Sequence, residues 1–359
     1  MKLIEPDVSV HFEVFEGIPA AAGYYFPPEW AKHEACWLSW PHNTDTWPGK
    51  IDEIWPAYLE FIKILAMSEK VKINVGSPEM AKTAFTKIKQ HGAELDQIYF
   101  YLNPTNDAWC RDHGPSFLVN RDPQKPKIIV DWGYNAWGGK YPPYNLDNQI
   151  PCRVAGQLGL HLAKPGIIME GGSVDFNGNG VVISSKACLL NPNRNPDLKQ
   201  AHIEQKLRDY YGIDHILWIV DGIEGDDTDG HIDDTVRFVN ESTVITMVEK
   251  NHDDFNREPL LVNRKLLEEM TINESRLAVV DIQMPEPLYF DGKRLPASYA
   301  NFYISNEHVI VPVFNSKNDD QALTIIQDCF PRRKVVGIDS THLVWGLGSF
   351  HCLSQQEPV

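Results

Sequence analysis

Cys352 lies in the run Phe350-His351-Cys352-Leu353-Ser354-Gln355-Gln356-Glu357. It follows Trp345-Gly346-Leu347-Gly348-Ser349, whose glycines allow tight turns and close backbone approach. A cysteine this near a chain end ordinarily sits on a frayed tail. Here candidate partners lie far upstream, in Asp226-Asp227-Thr228-Asp229-Gly230-His231-Ile232-Asp233-Asp234. A cysteine with a distant histidine and carboxylates is the pattern of a thiol enzyme whose site assembles only in the fold. Two further runs carry reactive groups: Trp109-Cys110-Arg111-Asp112-His113-Gly114-Pro115 and Met169-Glu170-Gly171-Gly172-Ser173. If His231 and Asp233 stand on a strand, their i, i+2 spacing points them to one face. Carboxylates beside a thiol raise its pKa and spoil it as a nucleophile. The combination makes chemical sense if the substrate is itself a cation. A planar guanidinium fits, because its N–H fork pairs bidentately with carboxylates. A thiolate could then attack the central carbon of a group already held and polarised.

These residues need elements to position them, and the sequence offers a repeating set. Four segments read as β-hairpins: Ser116–Val119 with Lys127–Trp132, Ser173–Phe176 with Val181–Ser184, Thr235–Val239 with Thr243–Val248, and Asn301–Ile304 with His308–Phe314. Their β-branched and aromatic residues flank Asn- and Gly-bearing turns. Helical periodicity covers 51–67, 79–91, 148–160, 197–211, 258–270 and 320–329. Short apolar strands are expected after these, at 71–75, 98–102, 167–169, 216–220, 277–282 and 334–338. The polar junctions near Asp112, Glu170, His231, Tyr299 and Cys352 are separated by 58, 61, 68 and 53 residues. Such an even period suggests radially arranged ββαβ units whose junctions converge on one axis. The lack of long, fully apolar strands disfavours a doubly wound parallel sheet.

Composition narrows the function. The chain has 359 residues, 43% hydrophobic, which is ample for a core. Its net charge, 33 − 49 = −16, argues against nucleic acid as a partner and favours a small cationic ligand. No apolar run of transmembrane length occurs, and the opening Met1–Asp7 has no apolar signal segment, so a cytoplasmic protein is expected. Six scattered cysteines are not a disulfide framework. Cys110 and His113 are half of a metal pattern that no second pair completes, so no metal is expected. Oligomeric state is left open, a homo-oligomer included.

The motifs carry a resemblance. Trp109 to Pro115 resembles the Trp-x-Arg-Asp-x-Gly-Pro motif of the agmatine deiminase and bacterial, Porphyromonas-type peptidylarginine deiminase family. Glu170-Gly171-Gly172, Asp227 to Asp233 and His351 to Gln356 match its other motifs in order, as does the opening Pro27 to Pro41. The resemblance runs from about Tyr24 to Pro358, and 1–359 is read as a single deiminase domain. It implies an α/β fold, a five-bladed pseudo-symmetric propeller of ββαβ units. It implies Cys352 as nucleophile, His231 as general acid and base, Asp112 and Asp233 as the carboxylates holding the guanidinium, and Glu170 as the carboxylate beside the imidazole. Trp109, Asp227 and Gly171 are the expected substrate contacts, with Trp109 walling the aliphatic part. No cofactor is implied. The activity implied is conversion of agmatine to N-carbamoylputrescine and ammonia, a step towards putrescine and the polyamines. Two departures stand out. Agmatine deiminases commonly have Glu where this chain has Asp227, and the segment before the nucleophile is less glycine-rich than theirs. The residues leave three alternatives open: peptidyl or free arginine as substrate, a metal amidohydrolase using His231, Asp233, His113 and Cys110, and a non-catalytic module binding cationic ligands.

Overall fold

A computed structural model describes residues 1–5 and 12–359; Pro6 and Asp7 of the opening segment fall outside the described residues. Five sheets of three or more strands are built alike: an antiparallel pair, a helix, then a strand parallel to the second of the pair. In one, Ser116–Asn120 pairs with Ile128–Val130, Ile150–Leu158 is the helix, and Leu162–Ala163 adds in parallel. The next uses Val174–Phe176, Val181–Ser185, Gln200–Tyr211 and His215–Ile219. A third uses Val236–Asn240, Thr243–Val248, Arg257–Glu269 and Ala278–Gln283. A fourth uses Tyr303–Ile304, His308–Val313, Asp319–Cys329 and Lys334–Asp339. The four expected hairpins are all present.

The fifth sheet joins distant parts of the chain. Ser354–Pro358 pairs antiparallel with His33–Ser39, which runs parallel to Lys70–Val75; Ile98–Leu102 and Lys2–Ile4 extend the same sheet. The residues after Cys352 are therefore a buried strand. Glu357 anchors it, accepting from Trp37 Nε1 at 2.7 Å and from Lys72 at 2.6 Å and Lys127 at 2.7 Å. Loss of either lysine would leave a buried carboxylate under-compensated, so the strand is held by charge as well as by its ladder.

Local rules explain the helix ends. Ser77 caps Pro78–His91 by accepting from Met80 N, Pro78 occupies the first turn, and Gly92 ends it in the left-handed region at φ 83°. One expected strand, at 167–169, is only an isolated bridge between Gly133 and Ile168. Asn195 explains the difference: its side-chain amide accepts from Ile168 N and donates to Ile168 O, so it stands in for a neighbouring strand.

In every unit the residues just before the first strand of the antiparallel pair form a turn. Cys110–His113 and Phe350–Leu353 are single helical turns, and Gly171–Ser173 and Ile232–Asp234 are 3-10 turns. No described helix is long and apolar enough to cross a membrane.

Candidate active site

The turns bring the sequence-predicted side chains together. His231, buried, faces three carboxylates: Nδ1 is 3.8 Å from Asp112 Oδ1 and 4.0 Å from Asp233 Oδ1, and Nε2 is 3.9 Å from Glu170 Oε2. Neither ring nitrogen has a hydrogen-bond partner among the described residues. The expected strand geometry for His231 and Asp233 is corrected to a 3-10 turn, which brings the two side chains together by a different local path. Cys352 Sγ lies 3.7 Å from Asp233 Oδ2. Its closest polar neighbour was missed by the sequence reading: Asn301 Nδ2 donates to Sγ at 2.9 Å and to Asp234 Oδ1 at 2.9 Å. Asn301 belongs to the one junction that had offered no reactive group. Its Oδ1 also accepts from the backbone N–H of His351 and Cys352, at 3.1 and 3.3 Å.

Asp112 is aimed by two donors, Trp137 Nε1 at 2.9 Å and Gly172 N at 3.0 Å. Trp137 was also missed. It stands in the Asn135-Ala136-Trp137-Gly138-Gly139 turn, where Ala136 and Trp137 adopt φ of 52° and 54°. Two successive non-glycine residues in the left-handed region are costly and tend to mark functional segments. Gly172 is required by close approach: a Cβ there would lie 2.6 Å from His231 Nδ1 and 2.9 Å from Asp112 Oδ1. At Gly171, expected as a substrate contact, a Cβ would lie 2.2 Å from the Arg111 carbonyl oxygen. Arg111 does not pair with Asp112; it reaches Gln356 Oε1 at 2.7 Å and Glu29 Oε2 at 3.3 Å.

Glu170 is anchored by Arg194 Nε at 2.8 Å. Arg194 also bonds Asp229 and the Thr228 carbonyl, tying the acidic loop to the carboxylate behind His231. Trp109 packs at 5.6 Å between ring centroids on Trp47. A Cβ on Gly348 would meet the Trp109 ring at 2.6 Å and Cys352 Cβ at 3.0 Å, so the indole adjoins the thiol's turn. Asp227 accepts from the Tyr141 hydroxyl, and Tyr141 packs edge-on against Trp137. Lys140 donates to the Asp227 carbonyl and pairs with Asp229 Oδ1 at 2.8 Å.

Electrostatics follow from burial and charge. Burial, then Asp233, Asp234 and Asp112, push the Cys352 thiol well above the ordinary cysteine range, against the Asn301 hydrogen bond. Burial disfavours a charged His231, but Asp112, Cys188 and Glu170 outweigh it and hold the ring well above the usual histidine value. Burial raises Asp112 to about 6. Burial also opposes ionisation of Asp233, but the His351 hydrogen bond and nearby positive charge hold it below the usual range. The cluster thus has a protonated thiol and an excess of carboxylate, a condition that a docking cation would relieve.

The set required for a metal amidohydrolase is not assembled. His113 lies 3.0 Å from Ser39 Oγ with burial depressing its basicity to about 3, and Cys110 packs in a separate apolar cluster with Trp37 and Phe117. Among the described residues, Glu170, Cys188 and His231 form the one group of three or more whose potential metal-ligating atoms all lie within 4.8 Å of one another.

A family model described as Porphyromonas-type peptidyl-arginine deiminase matches residues 25–358. The chain belongs to this deiminase family and is a hydrolase of carbon–nitrogen bonds in linear amidines. Among curated relatives, it is 36% identical over 343 residues to a Legionella pneumophila (strain Paris) protein named "Putative agmatine deiminase", covering 95% of this chain and 97% of that one. Among solved structures, the agmatine deiminase of Enterococcus faecalis superposes with a TM-score of 0.88 at 29% identity, covering 97% and 99% of the two chains. A substrate-bound variant of C. jejuni agmatine deiminase gives 0.84 at 32% identity, with 93% and 96% covered.

Asp112→Asn should lower kcat/KM about 10- to 150-fold, the value of one charge-assisted pair. With Asp112 raised to about 6, the carboxylate that pairs with a cation is lost as pH falls through that value. Wild-type kcat/KM should therefore drop on the acid side near pH 6, and Asp112→Asn should flatten that limb. A pH profile of both proteins checks this; an unchanged limb in the variant would assign it elsewhere.

Proposed function

We propose that this protein is an agmatine deiminase, hydrolysing agmatine to N-carbamoylputrescine and ammonia on a single five-bladed α/β propeller domain of ββαβ units. The observation that carries this reading is Cys352 beside Asp233, with His231 facing Asp112, Asp233 and Glu170. Agmatine's guanidinium would lie between Asp112 and Asp233, neutralising the charges that hold the thiol protonated. The Cys352 thiol then gives up its proton to solvent, and the resulting thiolate adds to the guanidinium carbon. The carbon–nitrogen bond breaks as protonated His231 delivers a proton to the leaving nitrogen, and ammonia departs. A thiouronium remains on Cys352. His231, now neutral, takes a proton from water; the oxygen attacks, the carbon–sulfur bond breaks, the remaining hydroxyl proton returns to the expelled thiolate, and the ureido product leaves. The net change is amidine plus water to urea plus ammonia. The raised affinity of His231 for its proton suits its first role, and Glu170, held ionised by Arg194, supports the imidazolium. This chain's own residues carry every step, with no cofactor or metal. A cytoplasmic protein acting in putrescine formation fits these properties.

The five like-built sheets, with the last strand paired to an early one, support radial closure. Substrate choice rests on the acidic loop and on relatives named as agmatine deiminases. Asp227 and Trp109 are the proposed contacts along the substrate's length. Asp227→Asn should raise KM for agmatine more than it lowers kcat, because the contact is equally strong before and during the reaction. An ammonia-release screen across agmatine, arginine and arginyl peptides tests the whole reading. Agmatine should give the highest kcat/KM. Better turnover of arginine or of the peptides would overturn the substrate and keep the deiminase.

A further inference from the structure

His351, next to the nucleophile, is clamped between two buried carboxylates. Its Nδ1 is 2.6 Å from Asp233 Oδ2 and its Nε2 is 2.8 Å from Glu29 Oε2. Both carboxyl groups are held below the usual carboxylate range, so each ring nitrogen of His351 sits within hydrogen-bond distance of an acceptor. Glu29 is itself fixed from three directions. Its Oε1 accepts from Ile304 N at 2.7 Å, and its Oε2 accepts from Arg237 at 3.0 Å and Arg111 at 3.3 Å. Arg237 is held in turn by Asp175 at 3.2 Å and by the carbonyls of Ala300 and Phe302. Asp233 consequently has unequal oxygens. Oδ2 is taken by His351 and lies near the Cys352 thiol, whereas buried Oδ1 has no partner among the described residues.

We propose that Glu29 and His351 are positioning residues for guanidinium recognition: they lock Asp233 Oδ2 so that Oδ1 alone is presented to the substrate, in register with the nucleophile's turn. The inference rests on the deiminase reading above. Without the clamp, Asp233 could rotate its carboxylate between two equivalent orientations and towards Cys352. Substrate affinity would then fall because the acceptor is no longer pre-aimed. The motif carrying Glu29, Pro27-Pro28-Glu29-Trp30, would owe its place in the sequence to this task.

The alternative is a buried ion pair that only holds the fold, and kinetics separate the two. His351→Gln should raise KM for agmatine about tenfold, with a smaller change in kcat, since one charge-assisted contact to Asp233 is lost. In a double-mutant cycle, Asp233→Asn with His351→Gln should be no slower than Asp233→Asn alone, within about twofold, because His351 acts through Asp233. Effects that multiply, or an unchanged KM in His351→Gln, would overturn the proposal. A structure of the Cys352→Ala variant with agmatine answers the same question without altering His351. The guanidinium should contact Asp233 Oδ1 while Oδ2 stays on His351; a guanidinium on Oδ2 with His351 displaced overturns it. Wild-type turnover measured alongside separates this from the deiminase reading. No ammonia from any guanidine would overturn that reading, whereas normal turnover with a silent His351→Gln would overturn the clamp alone.

Discussion

Cys352→Ala should lose ammonia release by roughly 10⁴-fold or more, while its melting temperature and its ability to bind agmatine stay close to wild type. The size follows from the absence of any other suitable nucleophile. Cys110 is sealed in apolar packing and burial pushes its thiol up to about 12; Cys188 sits behind His231 against Glu170. The side chain removed is small, and its one close hydrogen bond is from Asn301, which keeps Asp234 as an acceptor. Folding should therefore tolerate the change. Cys352→Ser should be nearly as inactive, because an alkoxide is far harder to form than a thiolate beside Asp233. Ammonia assays with thermal melts check both variants. Appreciable turnover by the Ala variant would remove Cys352 from the mechanism.

His231→Asn should cost about 10²- to 10⁴-fold in each half of the reaction that uses the ring, so the overall loss should approach that of the cysteine. The variant removes both the proton needed by departing ammonia and the base needed by water. Wild-type enzyme quenched during turnover should carry a covalent adduct on Cys352, visible as a mass increase on the peptide containing it. In the variant that adduct should form too slowly to accumulate. The pH dependence has a definite sign. His231 is held well above the usual histidine range, so its acid form persists through neutrality and the limb it sets lies on the alkaline side, opposite the acid limb set by Asp112. An adduct on another cysteine, or a His231 variant with near-normal rates, would break the assignment.

Much of this was legible because the chemistry sits in contiguous motifs. Asp112, Glu170, His231, Asp233 and Cys352 each lie at a unit junction, and the even spacing of those junctions hinted that they meet. The hairpins were readable from Asn/Gly turns and β-branched runs. The residues that adjust the site were not. Asn301 touches the thiol from a junction whose sequence, Tyr299-Ala300-Asn301, has no reactive signature. Trp137 reaches Asp112 from a loop whose unusual backbone appears only in three dimensions. Lys140 carries no local signal, and only the fold sets it beside the acidic loop. The clamp on Asp233 joins Glu29 to His351 across 322 positions of sequence, a separation that no local pattern reveals. Ile167 to Met169 failed as a strand for a related reason: one side chain, Asn195, took over its hydrogen bonds.

The pairing of Ser354–Pro358 with His33–Ser39 also bears on how activity is acquired. Trp37 and Glu357, bonded across that ladder, are 320 positions apart. Closing a loop of that length costs about 5 kcal/mol of chain entropy, which contacts made only on closure must repay. Four of the five units can form from nearby sequence, but the turn bearing Cys352 is fixed between the fourth unit and this last ladder. A refolding population could thus show native-like helix content and still be inert, with catalytic competence arriving together with the slowest, longest-range step.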